Sequence, residues 1–215
     1  MTRLGVITAL LPLLSACYGD PAPRVHIPEQ ASLRLLERVQ TALATGDSDE
    51  ALSLARAAYD TDPEYDDAAW IYATLLGRSG KIDEALEICS LLGARSPAYV
   101  QAHLLEGILW EQKGNRESAN LAYDRALSGI AASDTSALSM PELRLYEAVT
   151  IYLRRGKLAG VQAINQVLEV FPDYPPAHYV KTCMLDKNRG FLMRWFSDGG
   201  PHPEATATQD VVTKD

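Results

Sequence analysis

Three short stretches decide how this chain folds: Gly46-Asp47-Ser48-Asp49-Glu50-Ala51, Gly80-Lys81-Ile82-Asp83-Glu84-Ala85 and Gly114-Asn115-Arg116-Glu117-Ser118-Ala119. They stand 34 residues apart (80 − 46 and 114 − 80). Other columns keep the same step: Ala58, Leu92 and Ala126; Ala42, Leu76 and Trp110; Pro63 and Pro97. The turn Pro63-x-Tyr65 recurs as Pro97-x-Tyr99 and later as Pro172-x-Tyr174. A fixed period of this length marks an array of stacked units, each burying its apolar face only against its neighbours.

Each column has a physical task. Glycine sits where one helix ends and the chain reverses, a place that favours positive φ. A small alanine in the second helix lets the first helix approach closely. Proline stops the second helix, because it lacks an N–H and its ring clashes with the preceding turn. Asp49, Glu50, Asp83 and Glu84 fall in the first turn of a second helix, where unpaired N–H groups favour negative charge.

These residues resemble the tetratricopeptide pattern, from about Ala31 to Gly190. The resemblance implies an all-α fold, a right-handed superhelix of about four helical hairpins with a C-terminal capping helix. The hairpins are expected at Ala31–Asp62, Asp66–Ser96, Tyr99–Ala131 and Pro141–Phe171, and the cap at Pro176–Lys187. The fourth hairpin fits least well. Val161 stands where the pattern has Ala, and Pro172 comes one residue early. An irregular insert, Ala132–Ser139, precedes it, and Ser139-x-x-Glu142 with Pro141 reads as a capping box with proline at the first helical position. Phe191, Leu192, Trp195 and Phe196 are expected either to pack back on the last hairpin or to form an exposed docking segment. The polar stretch from Ser197 to Asp215 is expected to be disordered, so that residues 191–215 form an aromatic segment and tail beyond a domain at 31–190.

The chain begins with an address. Arg3, a nearly unbroken apolar run from Leu4 to Leu14, and Ser15-Ala16 give residues 1–16 the form of a secretory signal, too short for a spanning helix. Leu14-Ser15-Ala16-Cys17 resembles a bacterial lipobox, which implies cleavage before Cys17 and a lipid on its sulfur. Several acyl chains anchor stably where one does not. Tyr18 follows in place of the Asp that resembles an inner-membrane retention signal, so the periplasmic face of the outer membrane is the expected address. Residues 17–30 carry Pro21, Pro23 and Pro28 and read as an extended tether.

Composition narrows the chemistry. The formal net charge is −8, and it becomes −9 on loss of Arg3 with residues 1–16. No basic cluster interrupts that balance, so nothing would release counterions from a phosphate backbone and nucleic acid is not an expected partner. The cysteines show no C-x-x-C spacing; Cys89 and Cys183 are either buried thiols or a disulfide pair.

The tetratricopeptide resemblance also implies a concave face lined by the first helix of each hairpin. Leu36, Trp70, Leu104, Tyr146 and Tyr179 are expected to face that groove, with Gln40, Thr74, Ile108 and Thr150 beside them. Such a lining suits an amphipathic helix or an apolar peptide, so the expected partner is a protein. The Lys, Asn and Arg that hold a partner's terminal carboxylate in co-chaperones of this family are replaced, with Arg78 the nearest exception.

His103 and Glu106 lie one helical turn apart and could supply two metal ligands, or could simply pair with each other or with Arg78. No third ligand is near in sequence, and no phosphate loop, nucleophile elbow or His-Glu zinc motif occurs. Neither a catalytic site nor a cofactor is expected, a metal-dependent enzyme being the contrary reading. Resemblance to bacterial tetratricopeptide lipoproteins implies a scaffold that assists assembly of a pilus or secretion system. The alternative it implies is an adaptor recruiting peptidoglycan hydrolases or proteases.

Overall fold

The computed structural model describes residues 26–133 and 140–197. Cys17, the lead to residue 25, Ser139 and the stretch from residue 198 lie outside them, as does the Trp195 side chain.

The described residues form ten helices: α1 (Gln30–Ala44), α2 (Ser48–Thr61), α3 (Asp66–Arg78), α4 (Ile82–Arg95), α5 (Val100–Gln112), α6 (Arg116–Ala132), α7 (Pro141–Arg155), α8 (Lys157–Val170), α9 (Pro175–Asp186) and α10 (Arg189–Ser197). No strand occurs among them. None of these helices is long and apolar enough to cross a membrane. The pairs α1/α2, α3/α4, α5/α6 and α7/α8 form hairpins, and each second helix also packs on the first helix of the next pair. Among the odd-numbered helices, α3, α5, α7 and α9 touch in succession, which puts them on the inner side of the curve. Helix α9 closes the stack against α8, while α10 carries the fold on to Ser197.

The turn glycines behave as their positions demand. Gly46, Gly80 and Gly114 adopt φ of 79°, 81° and 77°, and no non-glycine among the described residues has positive φ. The Asp47 and Asn115 side chains accept from the backbone N–H of Glu50 (2.9 Å) and Ser118 (3.0 Å), capping α2 and α6. Gly80→Ala is expected to cost about 1–2 kcal/mol through the left-handed backbone alone, since a Cβ there meets nothing within 4 Å. Thermal melts of the two proteins check this; an unchanged midpoint would refute the strain argument.

The fourth hairpin is shifted, and the shift has a simple cause. The first three turns place three residues between helices, but α7 and α8 are joined by Gly156 alone, at φ 96°. One residue is thus missing before α8 compared with the glycine-to-alanine spacing above. The fourth residue of α2, α4 and α6 is Ala51, Ala85 and Ala119; in α8 it is Gly160. Gly160 is buried, while Val161, the residue expected in that role, is half-buried. Pro172 is not early once this is recognised. It stands twelve after Gly160 (172 − 160), as Pro63 stands twelve after Ala51 and Pro97 twelve after Ala85.

The capping box also needs correction. Pro141 is the first residue of α7, so the cap is Met140, which offers no side-chain bond. With proline in that position, Ser139 stands one residue too early for the reciprocal geometry of a capping box.

Packing within the columns depends on exchanged sizes. Tyr123 is fully buried where α2 and α4 carry Ala55 and Cys89, and its ring fills the place of the missing Gly107 side chain; a Cβ at Gly107 would sit 2.3 Å from Tyr123 Cε1. Gly93 likewise makes room for the His103 ring. Cys89 and Cys183 are both free and buried, and burial pushes the Cys89 thiol upward. The pair therefore packs as small apolar residues and forms no disulfide.

The N-terminal approach is pinned rather than loose. His26 Nε2 lies 2.8 Å from Asp62 Oδ2, and the Glu29 backbone N–H donates to the same oxygen at 2.9 Å. Burial pushes the Asp62 carboxyl up, but these hydrogen bonds outweigh it and hold it below its ordinary value.

Candidate protein-binding face

The inner face is built from α3, α5, α7 and α9, because each of these helices is apolar on the side that meets its counterpart in the next hairpin. The residues expected to line it divide into three groups. Leu104 and Ile108 are both 0% exposed and belong to the core. This corrects their expected place in the lining, and the reason is that α5 is apolar nearly all round and packed on every side. Leu36 is also buried. Tyr146 is buried with its ring edge-on to Phe196, centroids 5.7 Å apart. Trp70 and Tyr179 remain half-buried and keep a surface to offer.

Helix α10 lies on this face. From its connection to α9 it reaches α5 and α3. The Arg189 guanidinium forks onto the Glu111 carboxylate of α5, with Nε donating to Oε2 at 3.0 Å and Nη2 to Oε1. Leu192 is 0% exposed and Phe196 2%. Of the two expectations for the aromatic segment, packing back holds for Leu192 and Phe196, but the surface they meet extends well beyond the last hairpin. The sequence holds no hint of the Arg189–Glu111 pair, since the two stand 78 residues apart.

Two polar groups on α3 are left without partners. Trp70 Nε1 and Thr74 Oγ1 are buried, stand one helical turn apart, and make no hydrogen bond. Buried polar groups are ordinarily paired, so such orphans invite a ligand. Thr150, the counterpart of Thr74 in α7, instead donates to the Tyr146 carbonyl at 2.6 Å.

His103 and Glu106 stand apart from this face. They line a cavity of about 530 Å³ between α4 and α6, walled by Gly93, Ala94, Ala98 and Gly129. Glu106 Oε1 accepts from Arg125 Nη2 at 2.8 Å, and Oε2 lies 3.7 Å from His103 Nδ1. Burial raises the Glu106 carboxyl, but His103 and Arg125 together outweigh it and leave it below its ordinary range. Spacing along the chain gives no sign of Arg125 as the partner. Among the described residues no group of three or more His, Cys, Asp and Glu side chains is placed to hold a metal ion.

Comparison with known proteins agrees with this architecture. Residues 42–109 match the tetratricopeptide repeat family. No curated protein matches the chain. The crystal structure of a thermophilic TPR protein from Thermus thermophilus is similar, with 22% identity, a TM-score of 0.57, and coverage of 77% of this chain and 88% of that one. MamA from Desulfovibrio magneticus aligns at 12% identity and a TM-score of 0.46, covering 79% of this chain and 93% of that one. The chain therefore carries tetratricopeptide repeat sequence at residues 42–109 and has the tetratricopeptide fold, a fold consistent with a scaffold for protein–protein interaction.

Proposed function

We propose that this chain is a non-catalytic scaffold that binds another protein on its inner face. In this reading it is held by lipid on Cys17 at the periplasmic face of the outer membrane and assists assembly of a pilus or secretion system. The observation that carries the binding role is the inner face itself, with half-buried Trp70 and Tyr179 and two buried polar groups on α3 that lack partners. Large amphipathic side chains of this kind anchor interfaces because one end buries area while the other makes a directed bond. The anchoring rests on the lipobox-like Leu14-Ser15-Ala16-Cys17 following the apolar run, and the assembly role on resemblance to tetratricopeptide lipoproteins.

The test is a photoreactive residue in place of Trp70, activated in intact cell envelopes, with a Cys17→Ser chain run in parallel. The expected result is a crosslink to a secretin or pilus-assembly component, and release of the Cys17→Ser chain from the membrane fraction. Crosslinks to peptidoglycan hydrolases or proteases would move the reading to an adaptor. A membrane-bound Cys17→Ser chain would overturn the lipid anchor.

A further inference from the structure

We propose that α10 is a resident ligand of the inner face, displaced by a partner helix that carries a cationic side chain followed three and seven positions later by large apolar ones. The inference rests on the reading of the inner face as the partner surface and specifies what that surface accepts.

Arg189, Leu192 and Phe196 occupy positions i, i+3 and i+7 of α10 and so share one stripe. All three are points of attachment, with Phe191 and Met193 also packed against the core. Arg189 forks onto Glu111, whose side chain is 14% exposed, Leu192 is fully enclosed, and Phe196 stacks edge-on against Tyr146. A cation on a sunken carboxylate followed by two apolar anchors is a recognition pattern that a helix of another protein can copy.

Three features mark α10 as an occupant rather than a further unit of the array. It does not form a hairpin with α9 but crosses to α5 and α3. It has nine residues, too few for a stable isolated helix in water, so once detached it unwinds. Its own start is supplied locally, by Asn188 Oδ1 accepting from the Phe191 N–H at 2.9 Å, so the segment can refold on contact without help from the domain. The match is also incomplete. Trp70 Nε1 and Thr74 Oγ1, on the α3 helix that α10 reaches, stay unpaired while it is in place. A helix bearing a carbonyl or carboxylate acceptor there would satisfy them. Being tethered, α10 needs few contacts to stay seated, whereas a separate helix needs more.

The experiment uses the full chain in detergent and a fluorescein-labelled synthetic peptide of residues 188–198. Fluorescence anisotropy is read for the unaltered chain and for Leu192→Ser with Phe196→Ser, which loosens α10. The peptide is expected to bind the loosened chain at least about tenfold tighter, and to lose that affinity when Glu111→Gln is added. Hydrogen exchange on the unaltered chain gives a reading free of any folding defect. Amides of 189–197 are expected to exchange at least about tenfold faster than those of α9. Equal protection of α10 and α9, equal peptide affinity for both chains, or dimers that exchange α10 between copies would each overturn the proposal. A Trp70 crosslink to a partner with α10 still protected would overturn it while sparing the binding role. Displacement by the peptide with no envelope crosslink would do the reverse.

Discussion

Gly160→Ala is expected to lower the melting midpoint by about 5–10 °C, although alanine is the better helix former by about 1 kcal/mol. A Cβ at position 160 would lie 2.4 Å from Tyr152 Cβ and 2.8 Å from Tyr152 Cα. The second atom is backbone, so a rotamer change cannot relieve the clash and α7 and α8 must move apart. Overpacking of that kind costs about 1–3 kcal/mol beyond the propensity it gains. Val161→Ala is the control. Val161 is only half-buried, so its loss should cost about 1 kcal/mol or less. Differential scanning calorimetry on both variants decides between the two registers of α8. If Val161→Ala proves the more damaging, the one-residue shift assigned to the fourth hairpin is wrong.

Arg125→Ala is expected to cost about 2 kcal/mol at neutral pH and to change the shape of the acid limb of the stability profile. Arg125 itself is 53% exposed, so the pair's Coulomb energy is screened and small. The cost comes from Glu106, which stays buried with its carboxylate short of a donor. In the unaltered chain Glu106 lies below its ordinary 4.5. Its contribution is therefore fully present above that value and fades as pH falls through the lower folded value. Without Arg125, burial is opposed by His103 alone and the folded value rises. The stability that Glu106 contributes then shrinks, and the acid limb flattens. Urea melts from about pH 3 to about pH 8 measure this, and a variant profile parallel to the original would refute the assignment of Arg125 as the partner.

The 34-residue period makes the hairpins and their glycine turns legible, because turn glycines and closing prolines do a backbone job that no other residue does as cheaply. What the period does not show is compensation between columns. Tyr123 against Gly107, and His103 against Gly93, are size exchanges in which a large residue in one column answers a missing side chain in another. Gly107 reads in sequence as a gap beside Glu106, whereas it is the seat of a ring. The same limit explains the inner face. Position along the repeat gives an expected lining, but Leu104 and Ile108 are enclosed by neighbours on all sides, and α10 reaches the face through an ion pair spanning 78 residues. Nothing periodic encodes such a pair.

Under the proposed lipid anchoring, the clasp of His26 and Glu29 on Asp62 would set the length of a leash. With Cys17 as the proposed mooring, eight residues (18–25) lie between lipid and clasp. Fully drawn out they reach about 30 Å, roughly the depth of the bilayer's hydrocarbon core. On that proposal the scaffold would not range through the periplasm in search of clients. Its partners would have to arrive at the membrane surface, so the chain would act as a fixed receiving berth rather than a carrier.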